Sequence, residues 1–140
     1  MTEPHRSVSV AGVIIDDQGR ALLARRRDNG HWEPPGGILE LGERVHDGLA
    51  REVAEETGLE VKPVKATGIY HNVPRGIIAL VFRCEATGGY LRTNDEATAF
   101  HWASPHEIPD LMSEAYAVRV LDAYRDDGPH IRDHDGVRLF

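Results

Sequence analysis

Residues 28–59 read DNGHWEPPGGILELGERVHDGLAREVAEETGL, and no other stretch narrows the fold as much. Asn-Gly and Pro-Pro-Gly-Gly are strong breakers of regular structure, so 28–37 reads as a loop. A helix then spans roughly 45–57 and stops at Gly58, the residue type suited to a left-handed cap. Each helical residue advances about 100° around the axis. With Glu52 at zero, Glu56 falls at about +40° and Glu55 at about −60°, so three carboxylates share an arc of roughly 100°. Leu49, Ala50 and Val53 occupy the adjoining arc and can dock on a sheet. The acidic ridge then lies at the rim of a core.

The segments on either side supply that sheet. SVSVAGVIID (7–16) alternates and then runs apolar, as a strand does. After the DDQG turn, ALLARRR (21–27) is a second strand, expected to pair with the first as a hairpin. Further strands are expected at about 61–71, 76–86 and 97–104. SPHEIPDL reads as a short helical turn with an early proline, and EAYAVRVLDAYRD (114–126) as a packed helix. The expectation is one α+β domain over 1–140, with a mixed β-sheet between helices. Its core covers about 7–126, and 127–140 forms a C-terminal tail or a short hairpin at the Asp-Gly turn.

Composition limits the function classes. At 140 residues, 41% hydrophobic and 28% charged, the chain has the makeup of an ordinary soluble domain. No apolar run approaches membrane-spanning length. The N-terminus lacks an apolar signal core, which points to the cytoplasm. Cys84 is the only cysteine, which excludes an intrachain disulfide and a thiolate zinc cluster. Set in LVFRCEA, it is expected to pack in a strand. A net charge of −7 without a basic stripe disfavours binding to a nucleic acid polymer. A small anionic ligand remains compatible with it, provided that a cation sits between the two.

Taken alone, REVAEE fits a solvated acidic face with an Arg51–Glu55 ion pair. That is the better reading of these six residues alone; the other is a site for a hard divalent ion, because oxygen-only ligands favour Mg²⁺ or Mn²⁺ over zinc. The preceding loop tips the balance. GILELGERVHDGLAREVAEETGL (37–59) resembles the Nudix box: Gly, five residues, Glu, seven residues, then Arg-Glu-aliphatic-x-Glu-Glu-x-Gly-aliphatic. Gly37, Glu43, Arg51, Glu52, Val53, Glu55, Glu56, Gly58 and Leu59 meet every fixed position. At ordinary residue frequencies such a match arises by chance on the order of once in 10⁸ start positions. HWEPPGG and DEATAFHW resemble the segments that flank the box in this family. The strand order agrees with the Nudix α/β/α sandwich.

The resemblance implies a Mg²⁺-dependent hydrolase, with Mn²⁺ as a substitute, of a nucleoside diphosphate linked to a further moiety. A Nudix-fold nucleotide-binding or regulatory module without turnover is the alternative. Carried over residue by residue, Glu52, Glu55 and Glu56 are the principal metal ligands and Gly36 adds its carbonyl. Glu43 makes an outer or water-mediated contact to the metal. Arg51 orients a carboxylate, most simply Glu55, and Glu96 matches a downstream glutamate that serves as ligand or base in some members. Substrates in view are a nucleoside triphosphate, modified or not, and an ADP-ribose-like nucleotide sugar. A proline near the offset of Pro74 accompanies ADP-ribose hydrolysis in the family. Members are often homodimers, although no stretch here declares an interface.

Two positions depart from the family pattern. Arg44 stands where a capping Ser or Thr is common, and it cannot accept the capping bond. Gly48 stands where a helix former is usual, at a cost of about 1 kcal/mol relative to Ala. Outside the box, strand alternation sends at most two of Arg25, Arg26 and Arg27 to one face. Arg25 and Arg27 are taken as the pair facing substrate, since Leu23 shares their face. Trp32 either stacks on a base or packs against the loop.

Overall fold

The computed structural model describes residues 6–140. Strands are β1 (Ser7–Ile14), β2 (Ala21–Arg26), β3 (Trp32–Glu33), β4 (Gly36–Ile38), β5 (Leu59–Asn72), β6 (Ile77–Gly89), β7 (Ala97–Ala103) and β8 (His130–His134). Helices are α1 (Val45–Thr57), α2 (Ile108–Leu111), which follows a 3-10 turn, and α3 (Glu114–Asp122). The larger sheet runs β4-β1-β6-β5-β8 and is mixed: β1 lies parallel to β6 and antiparallel to β4. The smaller sheet runs β3-β2-β7, all antiparallel.

Alternation along the central strands builds two cores. Val10, Ile14, Phe82 and Cys84 point to the side where Leu49 and Val53 of α1 are buried. Ala11, Val13, Ala79 and Val81 point to the other side, where Ile108, Ala117 and Val120 of α2 and α3 pack. The α+β sandwich expected from the sequence is present. Cys84 is buried there, and desolvation pushes its thiol up to about 12. No helix among the described residues is long and apolar enough to cross a membrane.

The expected β1–β2 hairpin does not form. Asp16 closes the turn by accepting the Gln18 and Arg20 N–H groups, each at 2.9 Å, and one bridge joins Ile15 to Ala21. The strands then separate into different sheets. Val10–Ile14 and Ala21–Ala24 are buried at every position, so each strand requires cover on both faces. A two-stranded hairpin cannot provide it. The expected 28–37 loop also carries β3 and the first residues of β4, which pair with β2 and β1.

The tail extends the larger sheet: β8 lies parallel to β5 in the register Gly68–His130 through Asn72–His134. The expected terminal hairpin is reduced to a single bridge, His134–Leu139. Arg132 of β8 donates to both oxygens of Asp122, at 2.7 and 2.8 Å, and the Tyr70 hydroxyl donates to the same carboxylate at 2.7 Å. Burial alone would raise the Asp122 carboxyl, but the Arg132 and Tyr70 hydrogen bonds outweigh it and hold the group below 3.8. Removing one member of such a buried set strands its partners, so Asp122→Ala is expected to cost about 3–5 kcal/mol in urea unfolding. The stabilisation is present above pH 3.8, the ordinary value, and is lost as the pH falls through the depressed folded value. The variant is therefore expected to lose the corresponding part of the acid-unfolding slope.

Candidate active site

Helix α1 starts without a side-chain cap at Arg44, has Asp47 in its first turn, and ends at Gly58 in the left-handed region, φ 85°. Its acidic arc faces β4. The Gly36 N–H donates to Glu56 at 2.9 Å. The Glu52 carboxylate lies against the α-carbon of Gly37, where a Cβ would collide with it. Gly36 itself has no room for a Cβ, because the β1 backbone at Val10 and Ala11 fills the space.

Arg51 is the hub of the box. It reaches Glu43 with two hydrogen bonds, 2.6 and 2.8 Å, then Glu52 at 3.0 Å and Glu55 at 3.3 Å. It also donates to the Ile38 carbonyl at 3.3 Å. Its main partner is thus Glu43 rather than Glu55, the simplest choice from helical spacing. A fork with fixed geometry prefers the carboxylate it can meet with two parallel bonds. The Arg51 hydrogen bonds hold the Glu43 carboxyl down at about 2. Gly48 now has a reason. A Cβ there would meet Glu43 Oε1 at 2.8 Å, so the missing side chain lets the loop carboxylate lie on the helix.

Glu52, Glu56, Gly36, Gly37 and Glu96 line one cleft of about 870 Å³. Glu96 enters from the loop before β7, whose shape Asn94 holds. Asn94 Oδ1 accepts the Glu96 and Ala97 N–H groups, and its amide donates to the Glu56 carbonyl at the end of α1. Burial pushes the Glu56 carboxyl up to about 7, against the Gly36 hydrogen bond and with help from Glu96 and Glu33. Burial likewise raises Glu52, partly offset by Arg51. Glu43 and Glu55 are not among the residues that line the cleft; Arg51 holds both.

The arginines distribute differently from simple alternation. The β2–β7 register shifts between Arg25 and Arg26, so the period of two breaks there. Arg26 lines the cleft, paired with Asp28 at 2.7 Å and more loosely with Glu33 at 3.5 Å. Arg27 lines it too, while donating to the Asp95 and Asn94 carbonyls. Arg25 lies away from it, bonded to the Gly30 carbonyl and 5.9 Å from the Trp32 ring. Trp32 packs edge-on to His101 and faces a smaller cavity of about 260 Å³. Arg26 thus takes the place that alternation assigned to Arg25, and Glu33, Asn94 and Arg119 are cleft or cleft-supporting residues that sequence reasoning did not single out. The Asn-Asp turn signal in TNDE was the one available hint, for Asn94.

This donor set suits a hard cation. It offers carboxylate and carbonyl oxygens only, and burial, ahead of the neighbouring carboxylates, raises the Glu52 and Glu56 carboxyls. Among the described residues no three His, Cys, Asp or Glu side chains converge on one point; Glu52 is engaged by Arg51 and Glu56 by the Gly36 N–H.

The family model of the NUDIX domain matches residues 5–124. The chain belongs to the Nudix family. A MutT-like protein of Streptomyces ambofaciens is 54% identical over 136 residues, 97% of this chain and 88% of that one. An ADP-ribose pyrophosphatase of Methanocaldococcus jannaschii is 36% identical over 114 residues, 76% of this chain and 67% of that one. The crystal structure of an ADP-ribose pyrophosphatase from Streptococcus suis has a TM-score of 0.73 at 25% identity, covering 93% of this chain and 100% of that one. The chain is accordingly a Nudix-type hydrolase that acts on acid anhydrides in phosphorus-containing substrates.

Two outcomes follow from this geometry. Gly37→Ala is expected to push Glu52 aside and lower turnover about 10²-fold, the penalty typical of a misplaced catalytic group, with the circular dichroism unchanged. The second concerns pH. With its folded value near 7 against an ordinary 4.5, Glu56 keeps a proton that the unfolded chain has lost. Metal-free protein should therefore lose stability as the pH rises from 4.5 to 7, and Glu56→Gln should flatten that slope in thermal melts. Added Mg²⁺ should reverse the loss in the wild type only.

Proposed function

We propose that this Nudix hydrolase is a Mg²⁺-dependent pyrophosphohydrolase. It cleaves the diphosphate linkage of a nucleoside diphosphate derivative by water attack on phosphorus, and Mn²⁺ can replace Mg²⁺. What carries the reading is that Glu52, Glu56 and Glu96 line one cleft together with the Gly36–Gly37 backbone. A diphosphate and these carboxylates repel each other, so a cation is required between them. Glu52, Glu55, Glu56 and the Gly36 carbonyl would hold it, with Glu96 approaching from the β7 side. When bound, the ion polarises the phosphoryl oxygens and the attacking water. One of the glutamates takes the proton that this water releases. Arg51 keeps the carboxylates in register, and Glu43 anchors Arg51 rather than the ion.

Two substrate classes fit. One is a nucleoside triphosphate, modified or not; the other, an ADP-ribose-like nucleotide sugar, agrees with the two ADP-ribose pyrophosphatases. The competing reading is a nucleotide-binding module without turnover. It draws on one observation, that Arg51 already engages Glu52 and Glu55. The retention of every glutamate of the box favours the enzyme.

The test is a nucleotide panel with Mg²⁺. Phosphate is followed after coupling to inorganic pyrophosphatase or a phosphomonoesterase, according to the products. Hydrolysis should vanish with chelator and return with Mg²⁺ or Mn²⁺. Glu52→Gln and Glu56→Gln should each lose about 10²–10³-fold in kcat while remaining folded, the scale of several kcal/mol of metal-assisted stabilisation. Full turnover by Glu55→Gln would remove that residue from the ligand set. Tight nucleotide binding with no Mg²⁺-dependent hydrolysis across the panel would establish the binding module instead.

A further inference from the structure

Glu96 reaches the cleft from residues 90–96, the loop between β6 and β7. Every residue of that loop is exposed except Asn94, which is half-buried. Packing therefore does little to set where Glu96 stands, and hydrogen bonds must do it. Arg27 ties the loop to the end of β2. Its backbone N–H donates to the Glu96 carbonyl at 2.9 Å, and its guanidinium donates to the Asp95 carbonyl at 2.9 Å. A second tie runs to α1, and it passes through Asn94.

The Asn94 amide uses all four of its hydrogen-bonding positions. Oδ1 accepts the Glu96 N–H at 2.9 Å and the Ala97 N–H at 3.0 Å. Nδ2 donates to the Arg92 carbonyl at 3.3 Å and to the Glu56 carbonyl. The first pair shapes the turn, and an aspartate would serve there equally, since a carboxylate oxygen accepts the same bonds. The second pair needs donors, which aspartate lacks. What asparagine adds at this position is thus the bond to the backbone of Glu56. The last carbonyls of a helix have no partner within it. Here the loop supplies partners, Asn94 for Glu56 and the Arg92 N–H, at 3.0 Å, for Thr57.

One amide group therefore spans from the backbone of Glu56 to the backbone of Glu96. The span matters because these two carboxylates, with Glu52, repel one another. Without a cation between them, a carboxylate on a free loop would swing away into water. A cation would then have to gather the loop as it binds, and ordering a segment at that moment weakens affinity. A loop already fastened to α1 spares the ion that cost.

We propose that Asn94 is a positioning residue for the cation site: its amide fastens the Glu96 turn to the last turn of α1 and so keeps Glu96 in the cleft that Glu52 and Glu56 line. The proposal rests on the metal-dependent reading of that cleft. Its test is Mn²⁺ affinity in the absence of nucleotide, followed through the electron paramagnetic resonance of the free ion. The proteins compared are wild type, Asn94→Asp, Asn94→Ala, Glu96→Gln and the double variant Asn94→Asp with Glu96→Gln.

Asn94→Asp should bind Mn²⁺ about tenfold more weakly, the lower end of what losing an outer partner of a metal ligand costs. Charge alone predicts the opposite sign, because the variant adds a carboxylate near the site. The Glu96 and Ala97 amides should stay protected from hydrogen exchange in Asn94→Asp, whose oxygen still accepts them, and lose protection in Asn94→Ala. Asn94→Ala should lose at least as much affinity. On the Glu96→Gln background, Asn94→Asp should cost nothing further, since it acts through a carboxylate already removed. Unchanged or tighter Mn²⁺ binding by a folded Asn94→Asp would overturn the proposal, and so would losses that add in the double variant. Failure of both Asn94 variants to fold would make the residue structural and sink it too, as would a wild type that binds no Mn²⁺. A wild type that binds Mn²⁺ but hydrolyses nothing across the nucleotide panel defeats the hydrolase reading alone. The same Mn²⁺ ratios then still decide the role of Asn94.

Discussion

The close approach of β4 to both β1 and α1 is the constraint on which the site depends. Gly36 and Gly37 permit it, each in a different direction. At Gly36 the β1 backbone occupies the space of a side chain; at Gly37 the Glu52 carboxylate does. Only with both side chains absent can the main chain pass between a strand and a helix closely enough for Glu56 to accept the Gly36 N–H. The acidic ridge of α1 is thereby fixed against backbone rather than against mobile side chains. Arg51 completes the arrangement by joining Glu43 of the preceding loop to Glu52 and Glu55 of the helix. Gly48 belongs to the same device, since it admits the Glu43 carboxylate at the helix surface.

That geometry sets the electrostatics. Crowded and desolvated, Glu52 and Glu56 are held above the ordinary carboxylate value, whereas Glu43, bonded to Arg51, is held below it. Residues of one short segment are thus driven in opposite directions by environment alone. The raised pair faces the cleft and the depressed one sits behind it. A hard cation entering the cleft would be drawn to the first pair and gains little from Glu43, whose charge is already spent on arginine. This separates Glu52 and Glu56, which line the cleft, from Glu43, which holds the frame, and from Glu55, which Arg51 engages outside the cleft lining.

Much of this was legible in the residues. The helix span, its stop at Gly58 and the shared arc of three glutamates follow from local periodicity and capping, which tertiary context did not override. What escaped reading depends on contacts between distant segments. That β1 and β2 belong to different sheets is hinted only by their unbroken apolar runs, while the turn between them gives a stronger and misleading hairpin signal. The shift at Arg25–Arg26 defeats alternation because nothing in ARRR marks a bulge. Glu43 as the chief partner of Arg51 lies eight residues away through a loop, where helical spacing says nothing. The docking of β8 on β5 requires Asp122, Tyr70 and Arg132 to meet from three separate elements.

The same dependence on distant contacts explains how an acidic chain can handle an anionic ligand without a basic stripe. The net charge of −7 gives no hint that arginines gather beside the glutamates. Yet Arg26 and Arg27 from β2 and its following turn, Arg75 from the β5–β6 turn and Arg119 from α3 all reach the cleft that holds the glutamates. They are drawn from three regions of sequence, so no window along the chain contains more than a pair. Arg26 and Arg27 are committed to protein acceptors, whereas the Nε of Arg119 is not. In the proposed function the glutamate side would meet, through a cation, what all diphosphates share, and the arginines drawn from distant segments line the rest of the cleft.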